Sequence, residues 1–212
     1  GGNDRADYLT ATAAVVVNLL AGTATGGDGS DTLINIERVR GSNFNDTLTG
    51  DNGANSLEGA SGNDTLFGND GGDFITGGLG DDLIDGGLND IRQGLDWSNN
   101  SDAIASVTVN LVTGTVTGGS GSDTLISIDA AAGGAFNDVL TGDVNFNFLR
   151  GNAGNDTLDG GAGVDLADYF NAANAVTVNL ATGTATGGDG NDTLLNIEGV
   201  SASNFNDTLI GG

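Results

Sequence analysis

GSNFNDTLT (41–49), GDNGANSLE (50–58), GASGNDTLF (59–67), GNDGGDFIT (68–76) and GGLGDDLID (77–85) follow one another without a gap. Each nine-residue unit opens on glycine. The sixth place holds Asp46, Asn55, Asp64, Asp73 or Asp82, and the eighth Leu48, Leu57, Leu66, Ile75 or Ile84. Glycine at places one, two and four allows positive φ, so the loop can turn several carbonyl oxygens inward. The sixth-place Asp adds a carboxylate. Such a donor set is a hard oxygen cage, suited to Ca²⁺ rather than zinc. The last three residues of a unit form a minimal strand, with Leu66 pointing in and Thr65 and Phe67 pointing out. Two inward side chains per coil of two units are too few to offset the entropy of ordering it. A metal bound only by the folded state supplies the remainder.

Composition points the same way. The chain has 212 residues, 39 Gly and no Pro or Cys. Its 29 acidic residues face only 5 arginines and no lysine, a formal charge of −24. That charge excludes nucleic acid as a partner, since a phosphate backbone needs Lys and Arg. The Asp residues keep phase with Gly and Leu, which argues against a merely solvated acidic segment. No apolar run reaches membrane-spanning length, and Ala13–Leu20 is far too short. No signal peptide is visible. The chain opens on Gly1 and closes on Gly211-Gly212, where another repeat would open, so it reads as cut from something longer.

Outside the tandem block a larger module recurs three times. Asp7-Tyr8, Asp96-Trp97 and Asp168-Tyr169 precede Val17-Asn18-Leu19, Val109-Asn110-Leu111 and Val178-Asn179-Leu180. A Gly-Thr segment follows each, then GGDGSDTLI (26–34), GGSGSDTLI (118–126) or GGDGNDTLL (187–195), then a six-residue insert such as NIERVR (35–40). The Val before Asn-Leu and the Phe before Asn-Asp are equally spaced in all three, 17 to 44, 109 to 136 and 178 to 205. The Val-Asn-Leu segment is therefore expected to be a coil half without a metal loop. One continuous array over 1–212 follows, with modules of approximately 1–94, 95–163 and 164–212, the third incomplete.

The in-phase nonapeptides resemble the RTX, or haemolysin-type, calcium-binding repeat over nearly the whole chain. The resemblance implies an all-β, right-handed parallel β-roll, a β-solenoid with Ca²⁺ between stacked Gly-rich loops. Each ion takes carbonyls from places two and four and the Asp of one loop, and carbonyls from places one and three and the Asp of the next. Carried over, Gly27, Gly29 and Asp31 face Gly41, Asn43 and Asp46, if the insert replaces one half-coil. Ser42, Phe44 and Asp46 face Gly59, Ser61 and Asp64. Ala60, Gly62 and Asp64 face Gly77, Leu79 and Asp82. On the other edge Asp51, Gly53 and Asn55 face Gly68, Asp70 and Asp73. Farther on, Gly119, Gly121 and Asp123 face Gly133, Ala135 and Asp138, while Gly134, Phe136 and Asp138 face Gly151, Ala153 and Asp156. The edge through 142–147 meets Gly160, Ala162 and Asp165, and Gly188, Gly190 and Asp192 face Ala202, Asn204 and Asp207. Asn55 and Asn147 replace the acidic ligand and weaken their edges. Phe44, Phe136 and Phe205 stand where glycine is expected. Ile91, in the Asp place of 86–94, cannot ligate through its side chain.

The expected function is a structural calcium-binding segment of a secreted or cell-surface protein, a stiff spacer or assembly unit. The resemblance adds export by a type I system. About eight ions would offset roughly two-thirds of the charge. Expected partners are calcium and further coils, from the same chain or by end-to-end self-association into a filament. An enzyme is disfavoured: there is no His, Cys or Lys, and acid pairs such as Asp81/Asp82 read as a ligand beside a solvated carboxylate. A C-terminal module of a secreted hydrolase or epimerase is one alternative. An ice- or polysaccharide-binding surface of seventh-place threonines, among them Thr47, Thr65 and Thr157, is another.

Overall fold

A strand with a single inward side chain is covered only when another strand stacks on it, and the chain folds as a succession of such stacks. A computed structural model describes residues 2–88 and 93–212; the expectation for Ile91 lies outside the described residues. It contains 24 short strands and, among the described residues, no helix, hence none long and apolar enough to cross a membrane. The fold is an all-β roll of two parallel-rich sheets of stacked strands. Two compact units emerge, Gly1–Asn99 with Ser120–Ile128, and Asn100–Gly119 with Asp129–Gly212.

In the first unit, one sheet stacks Arg5–Asp7, Arg38–Arg40, Ser56–Ser61, Phe74–Leu79 and Trp97–Asn99 in parallel. The other stacks Val15–Asn18, Thr47–Thr49, Thr65–Phe67, Leu83–Asp85 and Gly121–Ile126. The register places Val17, Leu48, Leu66, Ile84 and Leu125 in one inward column, all buried. Val39, Leu57, Ile75 and Ser98 make a second. Alternation sends Val16, Thr47, Thr65, Leu83 and Thr124 outward in a row. The second unit repeats the pattern, with Val109, Leu140, Leu158 and Leu194 in one column and Ala131, Leu149, Ala167 and Val200 in the other.

The six-residue inserts are half-coils. Asn35, Ser127 and Asn196, at φ 54°, 53° and 50°, turn the chain into Arg38–Arg40, Ala130–Ala132 and Gly199–Ser201. The Val-Asn-Leu segment departs from expectation. Val176–Asn179 does join the parallel stack, against Thr208–Ile210. The chain then reverses into Thr184–Gly187 and reverses again into Gly190–Leu195, both pairings antiparallel. The last three residues, Thr193–Leu195, pair in parallel with Thr157–Asp159. The turns decide this. Asn179 Oδ1 accepts the Thr182 N–H at 3.2 Å and Gly183 follows at φ +64°, while Gly187 and Gly190 flank a two-residue hairpin turn at φ +133° and +134°. The first strand is a coil half, Thr184–Gly187 and the start of the third strand form an antiparallel meander, and the end of the third strand rejoins the parallel stack. Val15–Asn18, Thr23–Gly26 and Gly29–Thr32 repeat it in the first unit.

The alignment of Asp96-Trp97 with the two Asp-Tyr pairs is also corrected. The N–H groups of Tyr8, Asn100 and Tyr169 donate to Arg40 O, Ala132 O and Ser201 O at 2.9, 2.9 and 2.7 Å, so Asn100 is the structural counterpart of the tyrosines. Trp97 instead lies in the sheet beside Phe74, ring centroids 6.3 Å apart.

Candidate metal centre

Each sixth-place acid sits at the turn from loop to strand, where side-chain direction alternates and the carboxylate is carried inward. Its Oδ1 accepts the N–H of the equivalent residue one coil away. Val15 N donates to Asp46, Asp46 N to Asp64, Asp64 N to Asp82 and Asp82 N to Asp123, at 2.7, 2.7, 2.8 and 3.1 Å. On the other edge Asn55 N donates to Asp73 and Asp73 N to Asp96, at 2.7 and 2.8 Å. The second unit continues the motif. Val107 N, Asp138 N and Asp156 N donate to Asp138, Asp156 and Asp192, while Asn147 N donates to Asp165. A second ladder of opposite sense runs outside it at the fifth place, where Asn45 Oδ1 accepts Asn63 N and Asn63 Oδ1 accepts Asp81 N.

The other carboxylate oxygen is the unsettled one. Oδ2 of Asp64, Asp73, Asp156 and Asp165 is buried without a hydrogen-bond donor. A buried carboxylate oxygen left bare is costly, and a cation resolves it. Each lies against its own first-place glycine. A β-carbon on Gly59 would stand 2.3 Å from Asp64 Oδ2 and 2.4 Å from Gly77 O, so glycine leaves the cradle in which carboxylate and carbonyl oxygens meet. No group of three or more His, Cys, Asp or Glu side chains able to hold a metal occurs among the described residues. A cage here draws on carbonyls for the rest, which is the donor set of a hard cation. The residues present therefore fit calcium.

Electrostatics agree. Burial pushes the Asp64 carboxyl up to about 7, against the opposing backbone hydrogen bond from Asp46, with the charges of Asp82 and Asp46 adding to the rise. Asp156 also reaches about 7 and Asp73 about 6, with burial again the largest cause. Asp138, Asp165 and Asp192 move up for the same first reason.

The structure stacks most of the expected loop pairs: 41–46 on 59–64, 59–64 on 77–82, 50–55 on 68–73, 133–138 on 151–156 and 142–147 on 160–165. Three pairs it does not bring together. Gly27, Gly29 and Asp31 belong to the meander, and loop 41–46 has Val15 as its ladder neighbour. The ladder neighbour of Asp123 is Asp82, and that of Asp138 is Val107. Asp192 bonds with Asp156, while Asp207 takes Val176 N at 2.9 Å. Gly121 and Gly190 approach Gly80 O and Gly154 O so closely that a β-carbon would lie 1.8 and 1.6 Å away. The meander returns the chain to the preceding coil, not the following one.

Four acids were missed. Asp96 stands on the ladder, Glu37 Oε2 accepts Asp4 N at 3.0 Å, and Glu198 Oε2 accepts Asp165 N at 2.9 Å. Asp129 takes the same station, its carbonyl accepting Phe148 N as Asp46's accepts Thr65 N. None opens a Gly-rich loop. The available signal was an acid two residues before an inward side chain, as Glu37 stands before Val39 and Asp46 before Leu48.

The family model for the RTX calcium-binding nonapeptide repeat matches four copies, over residues 35–66, 58–90, 132–167 and 184–195. No curated protein matches the chain. Calcium is the ion these repeats bind, and an orphaned carboxylate ladder facing glycine cradles is what such binding requires. The chain belongs to the RTX calcium-binding nonapeptide-repeat family, as a calcium-binding β-roll repeat module.

Proposed function

We propose that the chain is a structural segment of a secreted or cell-surface protein, folding on calcium outside the cell and serving as a stiff spacer or assembly unit. The buried carboxylate oxygens of Asp64, Asp73, Asp156 and Asp165, bare of donors, carry this reading. At cytosolic calcium levels that ladder repels itself; extracellular modules bind Ca²⁺ in the range of about 10⁻⁴–10⁻³ M, which matches calcium outside the cell. Export by a type I system fits a chain that stays unfolded until it meets calcium.

The cages lie between stacked loops. Carbonyls from Ser42 and Phe44 with Asp46 meet Gly59, Ser61 and Asp64, and loop 59–64 meets 77–82 in turn. Loop 133–138 meets 151–156, and the weaker edges run through Asn55 and Asn147. Loop 77–82 takes Gly121 and Asp123 as its later partner, and 151–156 takes Gly190 and Asp192. About eight ions in all would offset roughly two-thirds of the net charge of −24.

Circular dichroism tests the reading. With EGTA the chain should be disordered, and millimolar Ca²⁺ should restore the β signal. A chain that stays fully β-folded in EGTA would sink it. Sedimentation with Ca²⁺ across concentration tests stacking, which a strictly monomeric species would exclude.

A further inference from the structure

We propose that Tyr169 stands in for a calcium ion, closing an acid ladder where the regular coil gives way to the meander. This rests on the calcium-driven folding proposed above. The chain has two tyrosines. Both are buried and both donate a hydroxyl to an Asp of the meander, Tyr169 to the buried, ladder-bonded Asp192 at its Oδ2, 2.8 Å away, and Tyr8 to Oδ2 of Asp31, 3.2 Å away, which is exposed and has Val15 in its place on the ladder.

The contrast with the regular loops gives this meaning. Asp64 and Asp156 leave Oδ2 bare, pressed against the first-place glycine of their own loop; a β-carbon on Gly59 or Gly151 would come within 2.3 or 2.1 Å of it. In the meander that relationship is gone. A β-carbon on Gly187 would meet Ala175 O and the Val176 backbone, and one on Gly26 would meet Ala14 O and the Val15 backbone. The first-place glycine has been turned against the returning strand, so it no longer borders the carboxylate. The carboxylate faces a phenol instead. The ring is fixed by the backbone that carries it, since Tyr169 N donates to Ser201 O at 2.7 Å and Ala172 N donates to Tyr169 O at 3.0 Å. Burial first, and then the charge of Asp192, push the Tyr169 phenol up, which keeps it a donor.

A neutral O–H satisfies the oxygen with one hydrogen bond and brings no charge. The ladder Asp138–Asp156–Asp192 therefore ends at Asp192 without a further ion, and a new one starts at Asp207 beside Val176. Tyr169 thus sets where this ladder's ions stop.

The test uses the full chain with Tyr169→Phe, which keeps the ring and removes only the donor, and Tyr8→Phe as a control that should leave the ion count unchanged. Folding is followed by circular dichroism and ion number by calorimetry. Tyr169→Phe should raise the calcium needed for half-folding by roughly 1.5- to 2-fold, one hydrogen bond to a charged group shared over several ions. The deficit should shrink between about 1 and about 50 mM calcium, with one more ion bound at saturation than in the wild type. In an Asp192→Asn background the same substitution should change neither quantity. An equal deficit at both calcium levels with an unchanged ion count would show an ordinary buried hydrogen bond and overturn the proposal; so would no effect at all. If Tyr169→Phe does not fold at about 1 mM calcium, about 50 mM decides: recovery of the β signal with one more ion bound supports the proposal, and a chain still unfolded there overturns it. A wild-type chain folded in EGTA overturns the calcium-folding reading instead, and the ion count still decides this one.

Discussion

The backbone N–H of Asp46 donates to Oδ1 of Asp64 at 2.7 Å, and the N–H of Asp64 donates to Oδ1 of Asp82 at 2.8 Å. Each carboxylate thus joins its own coil to a neighbour with one oxygen, and the other oxygen of Asp64 is buried without a donor. On the calcium reading proposed above, folding and metal binding would share that side chain, so neither could be perturbed alone.

Asp64→Ala removes the acceptor for Asp46 N and takes a carboxylate from two stacked loop pairs. It should cost about 2–3 kcal/mol and raise the calcium midpoint. Asp85 points outward from its strand and, among the described residues, accepts the N–H of Gly87 at 3.0 Å. Asp85→Ala should cost no more than about 1 kcal/mol. Calcium titrations of both variants by circular dichroism compare them, and equal midpoint shifts would mean the register is wrong.

Glycines in the same unit repeat should differ sharply. A β-carbon on Gly59 would stand 2.3 Å from Asp64 Oδ2 and 2.4 Å from Gly77 O, inside the cradle itself. On Gly53 the nearest atom is Asp51 Oδ1 at 3.4 Å, an ordinary contact. Gly59→Ala should destabilise the calcium-loaded chain by about 2–3 kcal/mol. Gly53→Ala should stay within about 0.5 kcal/mol. Thermal melts at saturating calcium distinguish them.

The sequence made the roll legible because one period carries everything: Leu48, Leu66 and Ile84 recur with Asp46, Asp64 and Asp82, and the column and the ladder follow. The meander was not legible. GGDG at 26–29 is the opening of a metal loop and equally a two-residue hairpin turn, and glycine permits both. What settles the choice is the packing of Gly27 against Ala13, whose backbone would stand 2.4 Å from an added β-carbon. The nine-residue phase also misled in the other direction, since Glu37, within 35–40, and Asp96, two places beyond 86–94, stand out of phase yet carry the ladder. Asp96 is buried and accepts Asp73 N at 2.8 Å. Asp96→Ala should therefore cost about 2 kcal/mol, close to Asp64→Ala. A neutral result in denaturant melts would remove Asp96 from the ladder.

Acidity should act in opposite directions with and without calcium. In the metal-free fold the carboxyls of Asp64 and Asp156 sit at about 7 and that of Asp73 at about 6, raised first by burial. Unfolded, they return to about 3.9. The native chain then binds more protons than the unfolded one between those values. Their contribution to stability is fully present below about pH 4 and is lost as pH rises through about 6–7. A calcium-stripped chain should accordingly show more β signal at pH 5 than at pH 8. General charge repulsion also weakens on acidification, so the double variant Asp64→Asn with Asp156→Asn separates the two causes. It should gain metal-free structure at pH 8 and show a flatter pH profile. With calcium the sign reverses, because protons compete with the ion for the same oxygens. The calcium midpoint should rise as pH falls from 8 to 5. A midpoint independent of pH, or a metal-free chain equally disordered at both values, would remove these carboxylates from the mechanism.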